Sequence, residues 1–307
     1  VATGIAPEAA HTLKRAADLH VVLAALERVG IDALAFKGPT LAALLYERLD
    51  RVASGDLDVL VRRADIERAV AALAAVGYRP DSEVALSLPG NNEMLLRCEG
   101  RADVDLHWAL SPPYFFPFDL DGAFGRAQTV RLIGQEFRTL GNEDLFVGLV
   151  IHHSRHCWDN AGWIRDIALL LEKRPLDWAL VERAATVARA RRAVNLAILL
   201  TGEAASSLVP QRIRDRAHAD RVAGRIAEQI RRNHREFRGD FAGTTSGAVM
   251  QMRMTESIAD RLRYIVWRAL LPNQTDATSA PNGRSSTSMT MLRPLRVLSK
   301  ALTARGR

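Results

Sequence analysis

The sequence predicts an α+β protein: a small mixed β-sheet core with helices, followed by a C-terminal helical bundle. Three observations carry that expectation. Short runs with strand alternation occur only within the first 140 residues. Past Pro112-Pro113 the apolar spacing becomes helical, and from about residue 143 it stays so over most of the remaining length. The early elements are closed by Gly30, Gly38 and Gly77, at the places where a chain leaves or enters a helix. The expected division is a sheet domain over 1–140 that includes the N-terminal helix, a helical domain over 141–271, and a flexible linker with a basic tail over 272–307.

Residues 9–29 place Leu13, Ala16, Leu19, Val22, Leu23 and Leu26 on one helical face, and Gly30 stops the helix. Ala33–Phe36 reads as a short buried strand ending at Lys37-Gly38. Pro39 suits the first turn of the next helix, through Leu41, Leu44, Leu45 and Leu49. Asp56–Val61 alternates charged and apolar residues as a second strand. A third helix begins at Asp65, with Ile66, Ala69, Val70 and Leu73 on one face, and ends at Gly77. Glu83–Leu88 and Glu93–Cys98 flank Pro89-Gly90-Asn91-Asn92 as a hairpin. In Arg101–Leu110, Asp103, Asp105 and His107 alternate with Val104, Leu106 and Trp108. Thr129–Leu140 reads as a hairpin about Gly134, and Asn142 as an N-cap. Helices are then expected over 143–158, 161–172, 177–190, 192–201, 211–237 and 256–271, with a break at 239–247. Residues 272–290 are rich in Ser, Thr, Asn and Pro, and the tail places Leu295, Val297, Leu298 and Leu302 at helical spacing.

At 307 residues, 48% hydrophobic and 25% charged, the chain has the composition of an ordinary globular protein and holds no run of 18 apolar residues. Two cysteines, Cys98 and Cys157, are too few for a disulfide framework. With no leader pattern near residue 1, the expectation is a reduced, cytoplasmic protein. The net charge of +7 is uneven. Residues 1–110 hold 12 Lys and Arg against 16 Asp and Glu, a net −4, and residues 212–307 hold 19 against 8, a net +11. The basic last third is a candidate anion surface, for nucleic acid or, through the 293–307 tail, for acidic lipid.

Asp56 and Asp58 lie two apart on a strand, so both carboxylates leave one face. Such a pair repels itself unless a cation intervenes, and Mg²⁺ takes one or two carboxylates together with substrate phosphates. A third carboxylate from a neighbouring strand would complete a two-metal clamp, with Asp105 placed for it and Asp103 as the alternative. Lys37-Gly38, between a strand and a helix N-terminus, and Arg51, before Ser54-Gly55, are placed to hold a triphosphate. His152 and His156 sit one helical turn apart without the glutamate of a zinc-protease motif. They, His107 and Asp166 are candidates for the acceptor side or for a general base, with helix packing or a sheet-edge position as the plainer roles for the histidines.

The motifs together resemble the uncharacterised nucleotidyltransferase-like family within the polymerase-β-type nucleotidyltransferase superfamily. They are Phe36-Lys37-Gly38-Pro39-Thr40-Leu41-Ala42, Arg51-x-x-Ser54-Gly55-Asp56-Leu57-Asp58-Val59-Leu60-Val61, Ala71–Tyr78 and Asp105-Leu106-His107-Trp108. Weaker similarity continues in Glu143-Asp144-Leu145, His152-x-x-x-His156-x-Trp158 and Trp163-x-x-Asp166. The resemblance implies Asp56, Asp58 and Asp105 as catalytic metal ligands, two Mg²⁺ ions with Mn²⁺ as a substitute, and Lys37, Gly38, Arg51, Ser54 and Gly55 around the nucleotide. It implies transfer of a nucleoside monophosphate from NTP, ATP by default, to a small-molecule or peptide acceptor in a biosynthetic pathway. The superfamily's loop usually carries Gly-Ser, where this chain has Gly38-Pro39. An RNA acceptor, met by the basic last third, and a non-catalytic nucleotide-binding role are the competing expectations.

Overall fold

The computed structural model describes residues 7–46, 56–82, 86, 88, 90–112, 114–236 and 241–271. Arg51, Ser54 and Gly55, the 272–307 segment, and residues 83–85 and 87 of the expected hairpin lie outside the described residues. The chain forms two compact units. The first draws on the described residues of Val1–Glu83, Asn92–Ala109 and Asp119–Leu145, and the second on those of Val84–Asn91, Leu110–Phe118 and Phe146–Arg307.

The first unit is the mixed sheet with its helices. Helix α1 (Pro7–Glu27) ends where Gly30 takes a left-handed φ of 71°, and the Ile31 amide turns back to the Leu26 carbonyl at 3.0 Å. Strand β1 (Ala33–Ala35) leads into α2 (Gly38–Leu45), then β2 (Leu57–Val61), a 3₁₀ turn (Arg63–Asp65) and α3 (Ile66–Ala75). After β3 (Arg79–Pro80) come β4 (Glu93–Arg97), β5 (Val104–His107), α4 (Leu120–Gly125), β6 (Gln128–Leu132) and β7 (Gln135–Thr139). The seven strands lie in the order β3-β4-β5-β2-β1-β7-β6. Only β2–β5 and β1–β7 are parallel.

One face of the central strands is apolar throughout. Leu57, Val59 and Val61 of β2, Val104 and Leu106 of β5, and Met94 and Leu96 of β4 are all buried. Each contributes about 1.5–3 kcal/mol by leaving water, which fixes the register, because a one-residue slip would turn this set outward. The other face of the same three strands carries Asp58, Leu60, Asp105, His107, Glu93 and Leu95. The apolar face thus decides where the acidic face goes.

Among the described residues β4 pairs on this side with Arg79–Pro80, in antiparallel register with Arg97 and Leu96. Tyr78 is fully buried and donates its hydroxyl to the Ala102 carbonyl at 3.2 Å, which ties the chain to the sheet as soon as α3 ends. Pro80 is tolerated because β3 is an edge strand, where a missing N–H costs no ladder bond.

The second unit is helical. Helix α5 (Asn142–Arg155) begins in the first unit and continues into the second, followed by α6 (Ala161–Lys173), α7 (Trp178–Val187), α8 (Arg191–Leu200) and α9 (Gly202–Ser206). Then come α10 (Gln211–Ala219), α11 (Arg221–Glu236), α12 (Thr245–Met254) and α13 (Ile258–Leu270). Helix α8 is the centre of the bundle: Ala193 through Ile198 are all buried, and α6, α7, α9, α10 and α11 pack on it. The single helix expected over 211–237 is two. Asp220 breaks it and caps α11, accepting from the amides of Val222 at 3.1 Å and Ala223 at 3.0 Å. Helix α12 occupies part of the expected break, started by Thr244, whose hydroxyl accepts from Gly247 N at 2.9 Å. Among the described residues no helix is long and apolar enough to cross a membrane.

Candidate active site

The site starts at the turn between β1 and α2. The Phe36 amide donates to the Asp58 carbonyl at 3.0 Å, which carries the β1–β2 pairing one residue past β1 and sets Lys37 beside Asp58. The chain then turns at Gly38, whose φ is 57°. Pro39 occupies the first turn of α2, and Thr40 closes the turn by donating its hydroxyl to the Lys37 carbonyl at 3.0 Å. A side chain at Gly38 would be forced into the left-handed region. Gly38→Ala is therefore expected to cost about 1–2 kcal/mol, read as a fall of a few degrees in thermal unfolding, and to weaken nucleotide binding by displacing Lys37.

Lys37 Nζ lies 2.7 Å from Asp58 Oδ1. The same oxygen is 3.1 Å from His107 Nε2, and His107 Nδ1 is 3.1 Å from Glu93 Oε2. Strand register produces this row. Asp58 pairs with Asp105 and Leu60 with His107 across β2–β5, and Glu93 pairs with His107 across β4–β5. Burial by itself would raise the Asp58 carboxyl, but Lys37 and His107 outweigh it and hold Asp58 below the usual carboxylate range. Burial would lower His107, yet the carboxylates of Asp58 and Glu93 push it up to about 9. The imidazole is thus a buried cation at neutral pH.

Asp105 differs from its neighbours. Among the described residues its carboxylate makes no hydrogen bond and no ion pair, although the residue is less than half exposed. Desolvation raises its carboxyl to about 7, helped by the charges of Glu93, Asp58 and Asp56 and opposed by His107. One ligand atom each from Asp58, Asp105 and His107 lies within 4.8 Å of the others. Two in-register carboxylates, one of them without a hydrogen bond or ion pair to its side chain among the described residues, form a donor set that fits a hard divalent cation. Both Lys37 and His107 meet Oδ1 of Asp58, which leaves Oδ2 for such an ion.

The other expected site residues fall in several places. Asp56 is exposed immediately before β2, its carboxyl raised by partial desolvation and by the charge of Asp58. Asp103, the alternative third carboxylate, pairs with Arg97 at 3.1 Å. His152, His156 and Asp166 belong to the second unit. The rings of His152 and His156 are 4.7 Å apart, and His153 stacks on Trp163 at 4.8 Å, so these histidines form part of an aromatic cluster between α5 and α6. Glu93 was not among the expected site residues. Its place opposite His107 depends on the β4–β5 register, and strand alternation alone does not disclose which residues of two strands face each other.

A family described as "Uncharacterised nucleotidyltransferase" matches residues 7–206, and the chain belongs to that family and is a nucleotidyltransferase. No curated protein matches the sequence. Three solved structures are similar at low identity. The antibiotic-resistance factor ANT(2'')-Ia is 16% identical with a TM-score of 0.42, covering 58% of this chain and 92% of that one. The lincosamide antibiotic adenylyltransferase LnuA, bound to lincomycin, is 16% identical with a TM-score of 0.37, covering 50% and 94%. An antigenic nucleotidyltransferase-like protein from Paracoccidioides brasiliensis is 17% identical with a TM-score of 0.34, covering 55% and 85%.

Proposed function

We propose that the first unit transfers a nucleoside monophosphate from an NTP, ATP by default, to a hydroxyl or other nucleophile of a small-molecule or peptide acceptor, with Mg²⁺ held by Asp58 and Asp105. The observation that carries this reading is the in-register Asp58–Asp105 pair with Lys37 2.7 Å from Asp58, at a strand–Gly–helix turn. When bound, a divalent cation polarises the α-phosphoryl group and offsets the charge that grows on the departing pyrophosphate. Asp58 and Asp105 would hold the ion through their carboxylates, and Asp56, exposed immediately before β2, would add a third. Lys37 moves from Asp58 to a phosphate oxygen when nucleotide enters, and the first-turn amides of α2 and the bare Cα of Gly38 admit the triphosphate. The acceptor oxygen bonds to the α-phosphorus and releases its proton to solvent, and the bond from that phosphorus to the bridging oxygen of the β-phosphate breaks, its electron pair leaving with pyrophosphate. No step is assigned to His152, His156 or Asp166.

The full chain incubated with α-labelled NTPs, MgCl₂ and a panel of hydroxyl- and amine-bearing acceptors tests this. Pyrophosphate release with label passing to an acceptor, abolished by EDTA, is the expected result. Absence of label transfer with every NTP, or transfer indifferent to EDTA, would overturn the reading.

A pH dependence follows for the cation. The metal-free Asp105 keeps its proton up to about pH 7, and a cation must displace that proton to bind. Stabilisation by added Mg²⁺ in thermal unfolding is therefore expected to be larger at pH 8 than at pH 5.5. The apparent affinity should fall about tenfold per pH unit below 7, for one proton released.

A further inference from the structure

We propose that the exposed face of α13 is a docking face for a membrane surface that carries anionic lipid, on which the helix lies flat without crossing the bilayer. This face belongs to the second unit and is independent of the chemistry assigned to Asp58 and Asp105.

Helix α13 is turned the opposite way from an ordinary surface helix. Apart from the small Ala259, its exposed positions are Ile258, Leu262, Ile265, Val266, Trp267 and Leu270, from 40% exposed at Leu270 to 73% at Ile258. No charged side chain of the helix is among them. Residues 258, 262, 265, 266 and 270 recur at helical spacing and form one stripe about 18 Å long. Such a stripe offers several hundred Å² of contiguous apolar surface, the size that marks a protein or membrane contact.

Polar bonds on the opposite side fix this orientation. Asp260 is buried and accepts from Arg189 Nη1 at 2.9 Å and from the Ser257 hydroxyl at 2.7 Å. Tyr264 is buried too, and donates its hydroxyl to Gln251 Oε1 at 2.6 Å. Its ring lies 5.9 Å from that of Tyr114 and 5.6 Å from that of Phe115. Rolling the apolar stripe inward would break all of these contacts, so the helix keeps the stripe in solvent.

Charge decides what covers the stripe. Arg261 and Arg268, two helical turns apart, run along one border, and Arg263 on the other turns back to Asp260. Among the described residues neither Arg261 nor Arg268 pairs with a carboxylate. Asp260, the only acid of α13, faces inward. A second copy packed on this stripe, parallel or antiparallel, would set arginine borders against arginine borders with no acid across from them. An anionic headgroup layer meets the same borders with negative charge while the stripe enters the acyl boundary. The sequence adds a second basic signal directly after the helix, since 272–307 holds six Lys and Arg against one acid, Asp276. Apolar insertion and basic attraction are the two contributions that bind an interfacial helix to a membrane.

The test is sedimentation of the full chain with vesicles of phosphatidylcholine, either alone or with about one-third phosphatidylserine. The mixed vesicles are expected to bind the chain at least about tenfold more tightly, and less so as salt rises. Leu262→Ser combined with Ile265→Ser is expected to weaken that binding about tenfold or more, and Arg261→Gln combined with Arg268→Gln several-fold. Trp267 is the one exposed tryptophan of five. Brominated acyl chains should therefore quench emission in wild type and clearly less in Trp267→Phe. Absence of binding to both vesicle types overturns the inference, as does equal affinity for the two. Binding undiminished in either double variant, or no quenching of Trp267, assigns any lipid contact to the 272–307 segment and overturns it equally. Sedimentation equilibrium without lipid covers the remaining case. A dimer that Leu262→Ser with Ile265→Ser turns into a monomer, with no vesicle binding, means that a second copy covers the stripe. Should a double variant fail to fold, the quenching of Trp267 in the wild-type chain decides by itself.

Discussion

Asp58→Asn is expected to reduce nucleotidyl transfer by about three orders of magnitude, as removal of several kcal/mol of metal-borne charge stabilisation implies. The same change is expected to destabilise the protein. Asp58 is 6% exposed and is the common partner of Lys37 and His107. Replacing it leaves two cations facing a neutral amide, a loss on the order of 3 kcal/mol when one member of a buried ion pair is removed. Asp58 is held below its ordinary value, so its contribution is present above the unfolded value of 3.8 and is lost as pH falls through the folded one. The gap in thermal unfolding between wild type and Asp58→Asn should accordingly close on acidification. Calorimetry across pH and a label-transfer assay at pH 8 check the two halves. Wild-type activity in Asp58→Asn would remove this residue from the mechanism.

Asp105→Asn is expected to abolish transfer to a similar degree and yet to stabilise the metal-free protein. Asp105 has no partner among the described residues, and burial raises it to about 7. For a carboxyl raised in the folded state, the native protein binds the extra proton. Stability from that proton is full below the unfolded value of 3.8 and is lost as pH rises, with no further change beyond about 7. Ionised Asp105 thus costs on the order of 4 kcal/mol above pH 7, before the solvent screening that a partly open position provides. Asparagine cannot ionise and escapes that cost. The Asn variant should gain over wild type from pH 4 to 7 and hold its gain at higher pH, and added Mg²⁺ should narrow the difference by stabilising wild type alone. Opposite stability effects from neighbouring carboxylates, with the same loss of activity, are what distinguish a metal site from an ordinary ion-pair network. A destabilised Asp105→Asn would mean that the carboxylate has a structural partner.

Much of the sheet was legible in the sequence because strand alternation and glycine punctuation are local signals. Ala33–Phe36, Asp56–Val61 and Arg101–Leu110 contain β1, β2 and β5, and Gly30 and Gly38 both adopt the left-handed conformation their positions suggested. The Arg79–Pro80 strand had no local signal, because it depends on the burial of Tyr78, a tertiary effect. The merged 211–237 helix has the same character. Asp220 interrupts a helical pattern, and its capping role shows only once its carboxylate meets two amides, together with Arg192 and Asn195.

In the site, Asp58 and Asp105 were readable as residues of two strands on the side opposite the apolar one. Their adjacency required the parallel β2–β5 register, which no local pattern encodes. The same limit hid Glu93, and it concealed that Lys37 meets a carboxylate. The histidines at 152 and 156 carried an equally visible spacing, but the structure places them in an aromatic cluster of the second unit.

The most direct measurement is a crystal structure of the full chain with Mn²⁺ and a non-hydrolysable ATP analogue, using the anomalous signal of manganese. The expected result is a peak about 2.1 Å from carboxylate oxygens of both Asp58 and Asp105, with Lys37 Nζ moved from Asp58 to the triphosphate. Nucleotide bound with no manganese at these two carboxylates, or with Lys37 still on Asp58, would contradict it.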